Sequence, residues 1–362
     1  MIEDFLQYEP YELDKEKKQG LLKRELIQLT AFHEAKCQPY SNFLAAVGYS
    51  SDMVKDIADI PFFPVRAFKE LDLLSIPKDQ VFKTMTSSGT SGQRVSKIFV
   101  DRDNAILQQK VMTRILADYW GKKRIPLLVI DSPAVIKDRS LFSARGAAII
   151  GLSVVAKETT YALTSDMNLD LEVVQDFLER HKHERFIIFG FTFMVWQHFY
   201  KELCKLKESD VNLDFSEAFL MTGGGWKKLE SEKVSRNDFK EKLREICHIN
   251  HFLDHYGMVE QTGSIYAECE YGHLHASIFS DVIVRRPEDF AVCNIGEKGI
   301  IQVVSVLPHS YPGHSLLTED EGMVMGEDDC PCGRKGKYIK ILGRLKKAEL
   351  RGCSDIYGKS FA

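Results

Sequence analysis

The 362-residue sequence lacks an apolar run long enough to cross a membrane. Its most apolar stretch, residues 146–156, is shorter than the roughly 20 residues of a transmembrane helix and is interrupted by glycine. The first 18 residues are acidic and mixed, whereas a secretory signal would be basic and then apolar. These absences predict a cytoplasmic protein without a transmembrane segment, in which residues 146–156 form a buried strand or helix.

An excess of basic residues is also absent, because 48 Lys and Arg stand against 52 Asp and Glu, for a formal net charge of -4. Nucleic-acid binding needs a clustered basic surface, so we expect small-molecule or protein partners and no nucleic acid. A composition of 44% hydrophobic and 28% charged residues excludes a disordered chain. At roughly 150 residues per domain, the length allows about two domains or one large α/β domain with attachments.

The order of apolar and amphipathic segments predicts the organisation of the chain, and no internal repeat interrupts it. Residues 1–60 carry the pattern of an N-terminal helical segment. Over residues 61–275, short apolar runs alternate with amphipathic ones, which indicates βα units and a largely parallel sheet in an α/β core. Alternating strands over residues 276–342 predict a small strand-rich subdomain, and residues 343–362 would form a hinge and tail.

A loop rich in threonine, serine and glycine lies between two predicted strands. Its glycines allow backbone amides to turn toward an oxyanion, its hydroxyls add donors, and its lysine adds positive charge. It is not a Walker A motif, since no Gly-Lys-Ser/Thr follows the second glycine. A flexible surface hairpin explains the composition equally well. The candidate phosphate-binding residues are Thr86, Ser87, Ser88, Gly89, Thr90, Ser91, Gly92 and Lys97.

Three later segments supply further candidates for a nucleotide site. A glycine run after an apolar strand lets backbone approach a ligand closely. A Tyr-Gly segment offers an aromatic face for a base and a carboxylate for Mg²⁺, and the last segment offers an acid for ribose hydroxyls and a cation for phosphate. Each pattern alone also fits an ordinary turn, so their order carries the argument. The residues are Gly223, Gly224, Gly225, Tyr256, Gly257, Met258, Glu260, Asp320 and Arg344.

In this order the motifs resemble those of the adenylate-forming, or acyl-activating, superfamily: a Thr/Ser/Gly loop, Tyr-Gly-x-Thr-Glu, Thr-Gly-Asp, and Gly-Arg before a hinge. The match covers residues 60–352 approximately. Within the superfamily, the segment IPFFPVRAFK at 60–69 and the Thr-Glu-Asp variant look most like the acyl-protein synthetases of bacterial luminescence, with phenylacetate-CoA ligases as the nearest relatives. Val259 stands where Thr is usual, and Glu319 where Gly is usual.

The resemblance implies the N-terminal domain fold of adenylate-forming enzymes, with ATP and Mg²⁺ as cofactors and a long-chain fatty acid as the carboxylic acid substrate. It implies that Glu260 holds Mg²⁺ and that the other residues contact ATP. The aromatic segment that begins at Phe189 would then border the acyl chain, or else belong to ordinary core. Because 18 residues follow Arg344, we expect the mobile C-terminal domain to be essentially absent. Lys346 or Lys347 would replace its charge, or a partner protein would.

The eight cysteines are expected to be thiols, metal ligands or nucleophiles, because disulfides are rare in a reducing cytosol. A tight Cys-Pro-Cys-Gly knuckle and an upstream Cys with two histidines could together bind structural Zn²⁺. The resemblance to phenylacetate-CoA ligases favours the second histidine over His273. Reduced cysteines beside turn glycines are the alternative. The candidate ligands are Cys269, His275, Cys330 and Cys332.

Cys353 lies near the end of the chain among basic residues, which lower the pKa of a thiol. The resemblance implies that Cys353 accepts the acyl group, with an acyl reductase or acyltransferase as partner protein; a frayed terminal cysteine is the alternative. Two other functions stay open. One is an acyl- or aryl-CoA ligase, or a ligase that acylates a sugar or amine. The other is a non-catalytic nucleotide-binding scaffold.

Overall fold

The computed structural model describes residues 2–87, 95–137, 144–206, 213–224 and 226–345. The chain divides into two compact units. The first unit contains Met1–Leu116 and Tyr256–Ala362, and the second contains Ala117–His255. The division of the sequence into four segments stays a prediction. Across the described ranges, every helix is too short or too polar to span a bilayer.

Helices dominate the start of the first unit. The Asp14 side chain caps the longest of them by accepting from the Lys17 backbone N–H at 3.1 Å. A proline in the first turn of the next helix fixes the backbone angle that this position needs. The helices are α1 (Ile2–Phe5), α2 (Lys15–Lys36), α3 (Gln38–Ala46), α4 (Ala67–Glu70) and α5 (Arg102–Trp120, whose last four residues belong to the second unit), with 3₁₀ turns at Ser51–Met53, Ile57–Asp59 and Lys78–Gln80.

The rest of the first unit is largely antiparallel. The strands are β1 (Phe63–Pro64), β2 (Lys83–Thr86), β3 (Lys97–Val100), β9 (Tyr266–Glu268), β10 (Leu274–His275), β11 (Ser280–Arg285), β12 (Gly299–Ser305), β13 (Ser315–Glu327) and β14 (Lys337–Arg344). The sheet runs β11-β12-β13-β14-β10-β9, with β1 parallel to β13, and β2 and β3 form a separate hairpin. Aromatic side chains form a large part of the core that packs against this sheet, among them Tyr40, Phe43, Phe63, Phe68 and Tyr311.

The second unit is built on parallel strands in the order β5-β4-β6-β7-β8, which confirms the predicted parallel sheet. Strand β6 is buried along almost its whole length, so it shows a continuous apolar run rather than alternation. The strands are β4 (Ile125–Val129), β5 (Ala156–Tyr161), β6 (Phe186–Phe191), β7 (Ala218–Gly223) and β8 (His251–Tyr256, whose last residue belongs to the first unit).

Amphipathic helices pack against this parallel sheet. In α8, Val174, Phe177 and His181 are buried at helical spacing, and Asp170 caps the helix by accepting from Val173 N–H at 3.2 Å. The apolar stretch at 146–156 forms the end of one helix and the start of β5. The helices are α6 (Ala134–Lys137), α7 (Ala144–Ser153), α8 (Leu171–His181), α9 (Thr192–Met194), α10 (Lys201–Leu206) and α11 (Arg236–Cys247), with a π-helical turn at Val195–Tyr200 and 3₁₀ helix at Lys227–Glu232.

Two stacked histidines join α2 to the segment after β12 in the first unit. His33 and His314 are fully buried, with ring centroids 5.1 Å apart. The His33 Nε2–H donates to the Pro308 carbonyl at 3.0 Å, so Nδ1 accepts from the Ser75 hydroxyl at 2.6 Å. The His314 Nε2–H donates to Thr30 Oγ1 at 2.9 Å. Burial lowers the pKa of His33 to about 3 and that of His314 well below its usual value, so both rings are neutral.

Acid should therefore destabilise the protein through this pair. The unfolded chain binds a proton on His33 near pH 6.5, whereas the folded chain resists it down to about pH 3. The stabilisation is thus present above pH 6.5 and is lost as the pH falls toward 3. We expect His33→Gln to reduce the pH slope of the unfolding free energy by about 1.4 kcal/mol per pH unit in this window, measured by urea denaturation. The exposed His183→Gln is the control, and an unchanged slope in His33→Gln would contradict the assignment.

Candidate functional site

The β2–β3 hairpin positions the base of the Gly-rich loop. Thr86 pairs with Lys97, Ser87 N–H donates to the Ser96 carbonyl at 3.2 Å, and Ser96 N–H donates to Ser87 Oγ at 3.0 Å. The Lys97 ammonium is exposed and lies 4.0 Å from Asp72 Oδ1. The hairpin therefore fixes both ends of the predicted phosphate loop. The predicted residues Ser88, Gly89, Thr90, Ser91 and Gly92 lie outside the described residues.

Glu260 lies in the 3₁₀ turn Val259–Gln261 and is buried, with 6% of its surface exposed. Burial raises the pKa of this carboxyl, and the Ser96 hydroxyl, Lys69 and Arg344 oppose that rise. Ser96 is the residue before Lys97, so Glu260 and the base of the phosphate loop belong to one neighbourhood. A divalent cation would relieve the cost of desolvating the carboxylate, so Glu260 fits the predicted role toward Mg²⁺.

The turn that carries Glu260 is held tightly on both sides. The Gln261 side chain donates to the carbonyls of Val303, at 3.2 Å, and Gly313, at 2.8 Å. A Cβ on Gly313 would lie 2.7 Å from the Glu260 carbonyl oxygen, so only glycine allows this approach. The Thr262 hydroxyl reaches Met85 Sδ in β2 at 3.9 Å. The carboxylate therefore has a fixed position beside the hairpin.

Tyr256, Asp320 and Arg344 form a second group in the same unit. Asp320 and Arg344 face each other across the β13–β14 pair, and Arg344 Nε lies 3.8 Å from Asp320 Oδ1. The Tyr256 hydroxyl donates to Asp320 Oδ2 at 2.7 Å. Strand pairing brings Asp320 and Arg344 together, and a side-chain hydrogen bond adds Tyr256, so three residues that the sequence motifs had grouped only by their order are neighbours.

The three residues of this group differ in protonation and in exposure. Burial raises the pKa of Asp320, while Tyr256 and Arg344 favour the charged carboxylate. Burial and the neighbouring Asp320 raise the pKa of Tyr256 well above its usual value, so the phenol stays protonated and donates. The Arg344 side chain is 79% exposed. The group therefore offers a fixed carboxylate beside an accessible cation, a combination suited to a ribose phosphate.

Gly257 and Met258 link Tyr256 to the Glu260 turn. A Cβ on Gly257 would lie 3.6 Å from Ile265 Cγ2, an ordinary contact. Met258 has an extended backbone and packs against the core of the first unit. Within this unit, the structure therefore brings the predicted residues into two neighbourhoods, one around Glu260 and one around Asp320, joined by a short stretch of chain.

Gly223 and Gly224 lie in the second unit, where β7 ends. Gly224 has φ of +67°, and a Cβ there would approach the Phe191 ring to 3.0 Å. The Thr192 hydroxyl donates to the Gly224 carbonyl at 2.9 Å. The backbone of Gly224 is thereby held against the Phe191 ring. The predicted Gly225 lies outside the described residues.

Sequence reasoning missed His255, which lies near the end of β8, the neighbour of β7 in the parallel sheet of the second unit. Its Cε1 lies 3.7 Å from the position of a Cβ on Gly223. Among the described residues, its Nδ1 is buried and has no hydrogen-bond partner. Burial lowers the pKa of the ring. The position directly before the Tyr-Gly motif was the signal in the sequence, because a polar residue there lies at the carboxyl end of a parallel strand.

The predicted metal ligands come together in the first unit. The ligand atoms of Cys269, His275, Cys330 and Cys332 all lie within 4.8 Å of one another. Cys269 Sγ is 3.9 Å from Cys330 Sγ, and Cys332 Sγ is 3.4 Å from His275 Nε2. His273 Nδ1 also lies 3.2 Å from Cys330 Sγ, at the edge of the cluster.

Two tight turns present the cysteines. Gly333 N–H donates to the Cys330 carbonyl at 3.0 Å, and Gly272 N–H donates to the Cys269 carbonyl at 2.9 Å. Both glycines have positive φ, of +83° and +79°. Turns of this kind point sulfur atoms to one side, as a tetrahedral metal site requires.

The donor set fits zinc in chemistry. Three thiols and an imidazole are soft or borderline ligands, and four of them make a closed structural site. Burial lowers the pKa of His275 to about 3 and raises that of Cys330 to about 12. The neutral imidazole is the form that binds metal, and a bound cation would stabilise the thiolates. Elsewhere Cys37 and Cys247 are buried, whereas Cys204 and Cys293 are half-buried; Cys353 lies outside the described residues.

Comparison with known proteins gives a family and two relatives. The family model described as "Acyl-protein synthetase, LuxE" matches residues 1–362. A long-chain-fatty-acid–luciferin-component ligase of Vibrio harveyi is 23% identical over 342 residues, covering 91% of this chain and 85% of the relative. The protein of the same name from Aliivibrio fischeri is 24% identical over 335 residues, covering 89% and 84%.

Solved structures give the fold. A 2-hydroxyisobutyryl-CoA ligase in complex with 2-HIB-AMP has a TM-score of 0.70 at 17% identity, over 92% of this chain and 69% of that chain. The same ligase in complex with 2-HIB-AMP and CoA has a TM-score of 0.71 at 16% identity, over 94% and 70%. At such low identity the likeness concerns fold alone. It confirms the predicted fold class, an α/β domain of the adenylate-forming type.

Proposed function

The chain belongs to the acyl-protein synthetase (LuxE) family and is an adenylate-forming ligase, and from this premise we propose that it activates a long-chain fatty acid and transfers the acyl group to a protein cysteine thiol. The names of the two curated relatives support the fatty acid. The acceptor is inferred from the family description and from the terminal cysteine of this sequence.

In the first step, a carboxylate oxygen of the fatty acid attacks the α-phosphorus of ATP, and pyrophosphate leaves. Because the reaction needs positioning and charge neutralisation more than covalent help, fixed polar groups carry the catalysis. We assign the loop between Thr86 and Lys97 to the β- and γ-phosphates and Asp320 with Arg344 to the ribose and α-phosphate. Mg²⁺, when bound beside Glu260, supplies positive charge. Gly223–Gly225 and Tyr256 are assigned to the adenine.

The observation that carries this assignment is the group Tyr256–Asp320–Arg344, which is joined by one hydrogen bond and one ion pair. The three residues are far apart in sequence. The Tyr256 hydroxyl nevertheless donates to one carboxylate oxygen of Asp320, and the other oxygen of the same carboxylate faces Arg344. An ordinary surface ion pair would not require a half-buried tyrosine to orient its acid. A preorganised acid beside an exposed cation suits a ligand that carries both hydroxyls and phosphate.

Glu260→Gln tests the first step. The substitution keeps the size of the side chain and removes its charge, so we expect fatty-acid-dependent exchange of pyrophosphate into ATP to fall about 100-fold, the scale of losing one preorganised electrostatic contact. The measurement uses labelled pyrophosphate with fatty acids of several chain lengths. The exposed Glu288→Gln is the matched control and should retain exchange. Full exchange in Glu260→Gln would contradict the assignment.

In the second step, the Cys353 thiolate attacks the carbonyl carbon of the acyl-adenylate, a thioester forms, and AMP leaves. The thiol gives its proton to solvent before the attack. Lys346, Lys347 and Arg351 are near it in sequence and favour the thiolate. An acyl reductase or acyltransferase would then exchange the acyl group with this cysteine. These partners, the cytoplasmic location and the four-segment domain division remain predictions from the sequence.

Cys353→Ser separates the two steps. With ATP and labelled fatty acid, we expect the variant to lose the hydroxylamine-sensitive label on the protein and to retain pyrophosphate exchange, because the adenylate forms before the thiol reacts. Cys204→Ser, at a half-buried cysteine, is the control and should keep the label. If Cys353→Ser stays labelled, or if the acyl group moves to coenzyme A, a sugar or an amine equally well in both proteins, the cysteine is not the acceptor.

The cluster of Cys269, His275, Cys330 and Cys332 is proposed to bind one structural Zn²⁺. Its closed set of four donors and its burial support this role and leave no position for a reactive water. We expect about one zinc per chain by elemental analysis of protein purified without chelators. Cys330→Ala should abolish binding, whereas Cys293→Ala, in the same unit, should not. Zinc-free wild-type protein that also fails to bind added Zn²⁺ would contradict the proposal.

A further inference from the structure

Residues 10–18, here called the N-terminal arm, pack against the chain around the cysteine–histidine cluster. The Pro10 carbonyl accepts from Ile278 N–H at 2.8 Å, and the Tyr11 carbonyl accepts from Lys335 N–H at 3.1 Å. Ile278 follows the ligand His275 by three residues, and Lys335 follows the ligand Cys332 by three. The arm therefore binds backbone on both sides of the cluster.

The Tyr11 side chain reaches the cluster itself. Its ring meets the His275 ring edge-on, with centroids 6.0 Å apart and planes at 79°. The Arg334 guanidinium lies over the other part of the tyrosine ring, 5.7 Å from its centroid. Tyr11 is 6% exposed. The Tyr11 ring thus packs against His275, a proposed metal ligand, and against Arg334, the residue that follows the Cys-Pro-Cys-Gly knuckle.

Asp328 connects the start of α2 to the knuckle. One of its carboxylate oxygens accepts from Lys15 N–H at 2.8 Å, and the other accepts from Gly336 N–H at 2.7 Å. The Lys15 ammonium also pairs with Glu327 at 3.1 Å. Because Asp328 and Gly336 flank Cys330 and Cys332 in sequence, the conformation of the knuckle decides whether this bridge can form.

Lys18 extends the contact into the interior. Its ammonium donates to the Ala276 carbonyl at 3.1 Å and lies 3.8 Å from Asp281 Oδ2, and 1% of the residue is exposed. A Cβ on Gly336 would lie 3.0 Å from this nitrogen. The lysine is therefore enclosed by the residue after His275, by an acid of β11 and by the end of the knuckle loop.

Charge adds a second link between arm and cluster. A Zn²⁺ ion held by three thiolates and a neutral imidazole carries one net negative charge, which needs cations nearby. Arg334 follows Cys332 by two residues and packs over the Tyr11 ring of the arm. Lys18 of the arm is instead paired with Asp281, at 3.8 Å. The arm therefore holds one cation beside the cluster through the ring of Tyr11.

We propose that metal binding at the cysteine–histidine cluster and docking of the N-terminal arm are coupled, so that Zn²⁺ fastens residues 10–18 to the first unit. The metal orders the knuckle loop that presents Asp328, Arg334, Lys335 and Gly336, and the docked arm in turn favours the metal-bound cluster. This inference rests on the zinc site proposed above and is independent of the adenylation chemistry. Since such coupling is reciprocal, loss of either partner weakens the other by the same factor.

Hydrogen–deuterium exchange of the full-length protein tests the first direction. Zinc-loaded protein is compared with the same protein stripped by a zinc chelator under reducing conditions, and then with the stripped protein reloaded with Zn²⁺. We expect amides of residues 10–18 to exchange at least about 10-fold faster without zinc and to regain protection on reloading. Amides of β6, in the second unit, serve as the internal control and should not change.

Zinc affinity tests the reverse direction, by competition with a chromophoric chelator. Lys18→Met removes the buried cation of the arm, and we expect it to weaken zinc binding about 10-fold. Lys17→Met, at an exposed neighbour with the same change in charge, is the matched control and should bind zinc as the wild type does. Because the chelator experiment uses wild-type protein, the test does not depend on whether Lys18→Met folds.

Three outcomes would overturn the coupling. They are equal arm exchange with and without zinc, equal zinc affinity in the two lysine variants, and arm protection in zinc-free protein that depends on oxidation of the cysteines. Pyrophosphate exchange measured on the same samples keeps this proposal separate from the proposed function. A protein that exchanges no pyrophosphate but loses arm protection when zinc is removed would refute the function and support the coupling.

Discussion

Desolvation of two carboxylates, Glu260 and Asp320, is the constraint on which the first unit depends. Burial raises the pKa of each, so the fold must supply compensating partners. Asp320 receives a phenol hydrogen bond from Tyr256, and Glu260 has Ser96 and two more distant cations around it. Polar groups bound in this way are poorly solvated before a substrate arrives, which is the condition under which electrostatic catalysis is strongest.

The fixed backbone around these acids follows from the same constraint. The Gln261 side chain hydrogen-bonds the Glu260 turn to two backbone carbonyls. Gly313 has no side chain, which allows its backbone to pack directly against the Glu260 carbonyl. Strand pairing between β13 and β14 sets Asp320 against Arg344 without any contribution from a flexible loop. The acids therefore lie on rigid elements, where a preorganised site is most accurate.

Much of this could be predicted from the sequence, because the patterns concerned are local. Continuous apolar runs gave the parallel sheet, and the order of short motifs indicated the family and grouped Tyr256, Glu260, Asp320 and Arg344. Ligand chemistry and the short Cys-Pro-Cys-Gly spacing grouped the cysteines, and the resemblance to phenylacetate-CoA ligases favoured His275. The hydrogen bond from Tyr256 to Asp320 could not be predicted, since 64 residues separate the partners. The stacked His33 and His314 were equally unpredictable, because only tertiary packing joins them.

The path of the chain through the two units has a consequence for synthesis on the ribosome. The first unit is made from both ends of the sequence, whereas the second is one continuous segment. The parallel sheet can therefore form during translation. Helix α2 is made early, but its packing partners, strand β11 and the residues around the knuckle, are synthesised much later. Until then the leucines of α2 that the folded protein buries, Leu22, Leu26 and Leu29, lack part of the core that covers them.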